Sequence, residues 1–349
     1  MHTLKPGEVA STAAVGRGGR DNLVLPLTER LLAPLPGPRW IWVLGWGAIA
    51  ALRPITDSLV LRQLGLPLQA EQLVGRALVP NFILGYIVVL ALAGTSLLAR
   101  GARECVAGLR SVREDGDPVD GRTIAGLDNS LGPILLAALL TALESLQVTT
   151  RHPPLVTLVD TLIVFVVAIP IATWVWVYAA VLGAADRLGR RTLSREPYPA
   201  DRALGLRPLG TVAFNGFWVF AAAIVPFLLV VGRTPLDYAM GLALFLVVLA
   251  AFVLSLWRLH RRMVEVKQGH LATARALYAE AYAPLRQMPT LETLDQQRSL
   301  LSAAEALEKR AEGILEWPID ERLVTRVALI ATGATATMVA RLILSRFGL

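Results

Sequence analysis

The sequence holds a single cysteine, Cys105, so an intramolecular disulfide is impossible and a cysteine-based zinc site is excluded. Cys105 reads as a small packing residue. Histidine is nearly as scarce. His2, His152, His260 and His270 are scattered, and no two stand at the spacing of a metal-binding pair. Charge is thin as well: 17% of residues are Asp, Glu, Lys or Arg, against roughly 25% in soluble domains. There is no Walker loop, no His-Glu-x-x-His and no Gly-x-Ser-x-Gly. An arginine-rich voltage-sensor helix is also missing. The expectation is a protein that is not an enzyme and carries neither cofactor nor metal.

What is present is apolar. Hydrophobic residues make up 54% of the chain, and the mean hydropathy is +0.55. A membrane-crossing helix needs roughly 20 largely apolar residues. Residues 79–99 and 161–185 are uncharged, 236–257 carry only Asp237 at the mouth, and 209–232 are interrupted only by Asn215 and Pro226. Three further segments are weaker: 40–52 is short, 131–148 contains Glu144, and 323–347 contains Arg326 and Arg341. Each of these is a span, an interfacial helix or a helix buried in protein.

Charge placement decides between these readings. Of 34 Lys and Arg residues, 27 fall before Trp40 or within 100–128, 187–207 and 258–326. Cytoplasmic loops concentrate Lys and Arg, and basic regions on one side are separated by an even number of crossings. That rule promotes 40–52 and 131–148 to spans. It predicts an all-α polytopic transmembrane helix bundle of about seven spans with the N-terminus inside. The net charge of +7 then suits an anionic lipid surface, and nucleic acid is not expected. The expected organisation is a disordered cytoplasmic N-terminus (1–38), a six-span domain (39–257), a cytoplasmic helical hairpin (258–318) and a final membrane helix (319–349).

The hairpin rests on two polar helical stretches broken between Pro284 and Pro289. Thr290 is a candidate cap for the second. The second stretch has one apolar seam, Leu300, Ala304, Leu307, Ala311 and Ile314. The first has a looser seam of Leu259, Met263, Val266, His270 and Leu277. An antiparallel pair follows, in which the seams bury each other or leave apolar surface for a partner. The helix after Leu98 is expected to run on past the membrane.

Ionisable groups inside spans are costly and are functional hypotheses by default. Glu144 and Asp160 are the candidates for an ion or proton path. They form such a site, pair with Arg151, or sit exposed at an outer mouth. Arg53 and Asp57, four residues apart, pair on one helix face or mark the outer end of the first span. Asn215, Pro170 and Pro226 are candidates for helix packing or gating. Trp40, Trp257 and Trp317 are candidate headgroup anchors. Small residues in the last span, from Ala331 to Thr337, permit close helix approach and suggest a homo-oligomer.

Residues Glu316-Trp317-Pro318-Ile319-Asp320 follow a charged helical stretch and precede the last apolar helix. This pattern resembles uncharacterised bacterial multi-pass integral membrane proteins with a cytoplasmic helical hairpin and a Trp-Pro corner before the last span. The resemblance implies a bacterial-type inner membrane and no particular activity. A looser likeness, in topology alone, is to insect chemoreceptor-type channels. The reading that results is a scaffold or sensor-like membrane protein, using residues 258–318 to assemble or to bind a cytoplasmic protein partner. The alternative is an ion channel or secondary transporter with Glu144 and Asp160 near the path.

Overall fold

Hydrocarbon offers no water to backbone N–H and C=O groups, so a chain inside it must bond them within its own helices. The computed structural model describes residues 25–109, 127, 129–148, 154–190, 202–204, 206–231, 234–283, 291–319 and 321–346. Its regular elements there are helices: α1 (Leu27–Leu32), α2 (Arg39–Gln63), α3 (Pro67–Leu109), α4 (Leu131–Val148), α5 (Pro154–Gly189), α6 (Arg207–Val231), α7 (Pro235–Tyr282), α8 (Leu291–Glu312) and α9 (Glu321–Arg346). Five of them, α3, α5, α6, α7 and α9, are long and apolar enough to cross a membrane. The protein is therefore an all-α polytopic membrane bundle. The 25 residues of α2 reach about 37 Å, ample for a crossing, but Arg53, Asp57 and Arg62 interrupt its apolar run. In α4 the composition is apolar and the length is short.

The first helical segment is longer than its uncharged run. Arg53 does not end it; α2 continues to Gln63. Within the N-terminal region expected to be disordered, residues 27–32 form α1, which packs on α3 and α5. Asp237, at the mouth of a span, closes a capping box: its carboxylate accepts from the Thr234 N–H at 2.9 Å, and the Thr234 hydroxyl accepts from the Asp237 N–H at 3.2 Å.

Close approaches at glycine set the packing. A methyl group on Gly85 would stand 2.6 Å from the Gly47 carbonyl oxygen and 3.1 Å from Ala51 Cβ. Here α2 and α3 meet backbone to backbone. Glycines also admit neighbours at Gly94 (Trp174 and Val219), Gly132 (Trp176), Gly216 (Tyr178) and Gly189 (the α7 backbone at Arg258–Leu259). With these contacts α5 lies at the centre, packed against α2, α3, α4, α6 and α7. Phe217 of α6 packs between two rings of α7, tilted against Phe245 and stacked on Phe252, with centroids 5.9 and 5.3 Å away. Cys105 is buried in this main core.

The outside of the bundle is apolar. Leu135, Leu146, Leu162, Leu254 and Leu329 all point outward and are exposed. In water such a surface would drive association; in lipid it meets its solvent. Three buried threonine hydroxyls are bonded locally: Thr95, Thr141 and Thr173 each donate to the carbonyl four residues back, at 2.7–2.8 Å.

The uncharged run of α7 stops at Trp257, but the helix does not. It continues unbroken to Tyr282, 48 residues or about 72 Å in all. Along this extension α8 packs, and alanines carry the contact: Ala274 and Ala281 on α7, Ala304 and Ala311 on α8, are buried. Small side chains let the two axes approach, which pushes Leu300 and Leu307 of the expected seam out to the flanks, where both are exposed. Leu259, Met263 and Ile314 join the main core instead. Pro284, Pro289 and Thr290 lie outside the described residues, as do Asp320 and the side chain of the α3 terminus at Leu109.

Gly85→Ala is expected to destabilise the bundle by about 1–3 kcal/mol, the usual cost of overpacking, despite the better helix propensity of alanine. Gly45→Ala has nothing within 4 Å of the added methyl and is expected to leave the melting temperature unchanged or raised. Thermal unfolding of the two proteins in the same lipid or detergent compares them directly.

Candidate functional site

Arg53 is the only cation in the first 23 residues after Arg39 on α2 to sit in the middle of the helix rather than at its end. It lies 10 residues before the end at Gln63, about 15 Å in. Asp160 lies 6 residues into α5, about 9 Å, and Glu144 lies 4 residues before the end of α4, about 6 Å. All three helix ends face the same side. The guanidinium therefore sits well below the helix ends, where an unpaired charge would be costly.

Its partners come from two other helices. Arg53 Nε and Nη2 donate to the two oxygens of Asp160, Nη2 to Oδ2 at 2.8 Å, in a bidentate pair. Nη1 donates to Glu144 Oε1 at 2.8 Å. The side chains of Arg53 and Asp160 are 13% and 9% exposed, while that of Glu144 is 42% exposed. The Asp160 half of the cluster is thus sealed, and Glu144 forms its open edge. Three helices are joined by one planar cation, which suits arginine and not lysine.

A fourth charged group lies one turn along α2 from Arg53. Asp57 is buried at 8% exposure. Its Oδ1 is buried without a hydrogen-bond partner. The two residues read as a local i,i+4 pair therefore do different things: Arg53 reaches across to α4 and α5, and Asp57 follows it.

A second contact fastens α2 to α5 deeper in the bundle. Pro170 has no N–H, so the carbonyl of Val166, four residues earlier, lacks its helical donor. Trp46 Nε1 donates to that oxygen at 2.9 Å. Pro170, expected as a packing or gating residue, is thereby part of a fixed contact. Trp46–Val166 and Arg53–Asp160 lie two turns apart on the same α2–α5 face.

The other expected residues are not brought to this cluster. Asn215 and Pro226 are half-buried on α6, which packs chiefly on α3 and α7. Trp40 and Trp257 are exposed. Trp317 is half-buried; it stacks on His260 at 4.3 Å and stands 6.1 Å from Trp257. The corner holding it is fixed by packing: His260 Nδ1 bonds the Glu316 carbonyl at 2.7 Å, and Gly210 of α6 meets Pro318 and Ile319 directly. Arg151 lies outside the described residues, and the basic partner of Glu144 and Asp160 is Arg53. Among the described residues, no group of three His, Cys, Asp or Glu side chains is arranged to hold a metal ion.

Breaking the pair from one side should be worse than removing it. Arg53→Ala leaves Asp160 buried without its cation and is expected to cost about 3–5 kcal/mol. The double variant Arg53→Met/Asp160→Leu is expected to recover most of that loss. Glu144→Gln, at the exposed edge, is expected to cost no more than about 1 kcal/mol. Thermal unfolding of the three in one membrane mimetic makes the comparison. Compared with protein-family models, with curated proteins and with solved structures, the chain matches none.

Proposed function

We propose that the chain is a scaffold or sensor-like protein of a bacterial-type inner membrane, working without catalysis, that assembles or engages a partner through an arm made of the second half of α7 and of α8. The observation that carries this reading is the continuity of α7. One helix leaves the bundle without a break and presents α8 beyond it.

The arm is read as an antiparallel hairpin. Lys267 pairs with Glu316 at 3.1 Å, and Tyr278, further along α7, faces Glu305 and Glu308, further back on the chain; that order supports opposed directions. Leu300 and Leu307 stand exposed on the flank of α8, with Tyr282 exposed near the end of α7, an apolar surface suited to a partner or to a second copy. The concentration of Lys and Arg in alternate connections supports seven crossings, with the N-terminus and the arm inside. Under that topology α2 and α4 cross, their polar groups matched to one another through Arg53. Trp40 and Trp257 suit the headgroup zone. The resemblance to bacterial proteins with a Trp-Pro corner agrees with the same membrane. On α9, Gly333 has nothing within 4 Å of its open position, and a second subunit would fit there.

The second reading is an ion channel or secondary transporter with Glu144 and Asp160 near its path. Charged groups buried between three helices favour it. Ion flux in liposomes separates the two: flux lost in Glu144→Gln selects transport, and no flux from either protein, over several ions and both voltage signs, leaves the docking role.

A photocrosslinker at position 300 or 307 of the full chain in native membranes is expected to trap a second copy or a cytoplasmic protein. Leu300→Glu/Leu307→Glu should abolish capture from a crosslinker placed at Tyr282. If neither position yields an adduct, the arm does not dock.

A further inference from the structure

The cations at the point where α7 leaves its apolar run do not all stand alike. Arg258 pairs with Asp186, Arg262 donates to Glu265 Oε2 at 2.6 Å, and Lys267 pairs with Glu316 at 3.1 Å. Arg261 is exposed and, among the described residues, is in no ion pair. Its guanidinium lies over the Trp257 ring instead, 5.7 Å from the centroid. Glu265, one turn further on, is taken by Arg262, and Asp186 is shared between Arg190 and Arg258. Arg261 is therefore the arginine left without a counter-charge on this turn.

The indole beneath it is not a loose surface ring. It stands 5.4 Å from the His260 ring and 6.1 Å from that of Trp317, and His260 is bonded in turn to the Glu316 carbonyl. The corner at 314–319 thus holds the ring on which Arg261 rests. Toward the membrane, the same face of α7 is apolar and open. Val247, Leu254, Trp257 and Arg261 fall at helical spacing on that face, and the first three are 64%, 66% and 41% exposed. Val247 lies ten residues before Trp257, about 15 Å along the axis, which is the hydrocarbon depth of one leaflet. The face thus gives an acyl chain a full leaflet of contact and ends in an unpaired cation at the headgroup level.

We propose that this face of α7 binds one anionic phospholipid, with its phosphate on Arg261 and an acyl chain along Leu254 and Val247. A guanidinium with free N–H groups matches a pair of phosphate oxygens. The site favours an anionic headgroup over a choline headgroup for a reason of its own. Choline binds through an aromatic face, but Arg261 covers Trp257, and His260 and Trp317 hem in the same ring. A choline would also bring a second cation to an arginine that lacks a counter-charge. The occupant is a lipid rather than free phosphate, because the phosphate contact is one exposed side chain while the apolar contact runs on for a leaflet's depth. The proposal needs α7 to cross the membrane; it depends neither on the docking role nor on flux.

The full wild-type chain in phosphatidylcholine nanodiscs receives a trace of phosphatidylglycerol with a photoreactive acyl chain, or the matched photoreactive phosphatidylcholine. Adducts are then located by peptide mass spectrometry. The glycerol probe is expected to label residues 247–261 of α7 above the other exposed apolar faces, and the choline probe to label them all alike. Inorganic phosphate is expected not to displace the adducts. Arg261→Gln should reduce them about fivefold, the loss of one cation's attraction to an anionic lipid. Arg190→Gln removes the same charge from α5 and should leave them in place. Equal labelling of this face by the two probes, or glycerol-probe adducts spread evenly over the apolar surface, would overturn the proposal. So would displacement by inorganic phosphate, which marks a free-anion site, or an equal loss in both variants, which marks the diffuse attraction of a basic surface. The labelling pattern is read on the wild-type chain, so the test holds even where a variant does not fold.

Discussion

A guanidinium cannot be left unpaired in a low-dielectric interior. Arg53 is held well below the helix ends, and an uncompensated charge there costs several kcal/mol. Its pairing with Asp160 and Glu144 thus dictates which helices stand next to α2 at that level and how they are rotated. The bidentate geometry fixes the rotation of α5 about its own axis, because both oxygens of Asp160 are engaged. Trp46 repeats the lesson two turns deeper, where the carbonyl freed by Pro170 must find a donor in the absence of water. Polar groups that look like defects in apolar runs are the positions at which the bundle has least choice.

From that fixed point α5 carries order across the membrane. At its far end Asp186 pairs with Arg258 at the point where α7 leaves the apolar region, and Gly189 lets the α7 backbone come into direct contact. The charged cluster and the start of the arm thus lie toward opposite ends of α5. The corner at 314–319 closes the same end, with Trp317 on His260, Ile314 and Ile319 buried, and the Leu315 N–H donating to the Arg202 carbonyl at 2.8 Å. A shift at Asp160 therefore has a packed route to α7.

Much of this was legible in the residues. Apolar runs gave the spans because hydrocarbon demands them, and the charge asymmetry placed Arg53, Glu144 and Asp160 toward one side. Glu144 and Asp160 stood out because each interrupts an apolar run. Their partner did not stand out, since Arg53 beside Asp57 has the spacing of an ordinary helix pair. The α8 seam was legible in part. Its Ala304, Ala311 and Ile314 are buried, while Leu300 and Leu307 of the same seam stand exposed on the flank, because the alanines choose the line of closest approach.

The sequence by itself determined the helical, membrane-spanning character, the location of the polar interruptions and the amphipathic stretch beyond Trp257, because these follow from transfer energies summed along one chain. Tertiary structure alone decided that Arg53 serves α4 and α5, that Trp46 serves Val166, and that Asp57 is left over. Hydrogen bonds between helices depend on axial register and rotation. Those are set by backbone contacts such as Gly47 on Gly85, which no local pattern encodes.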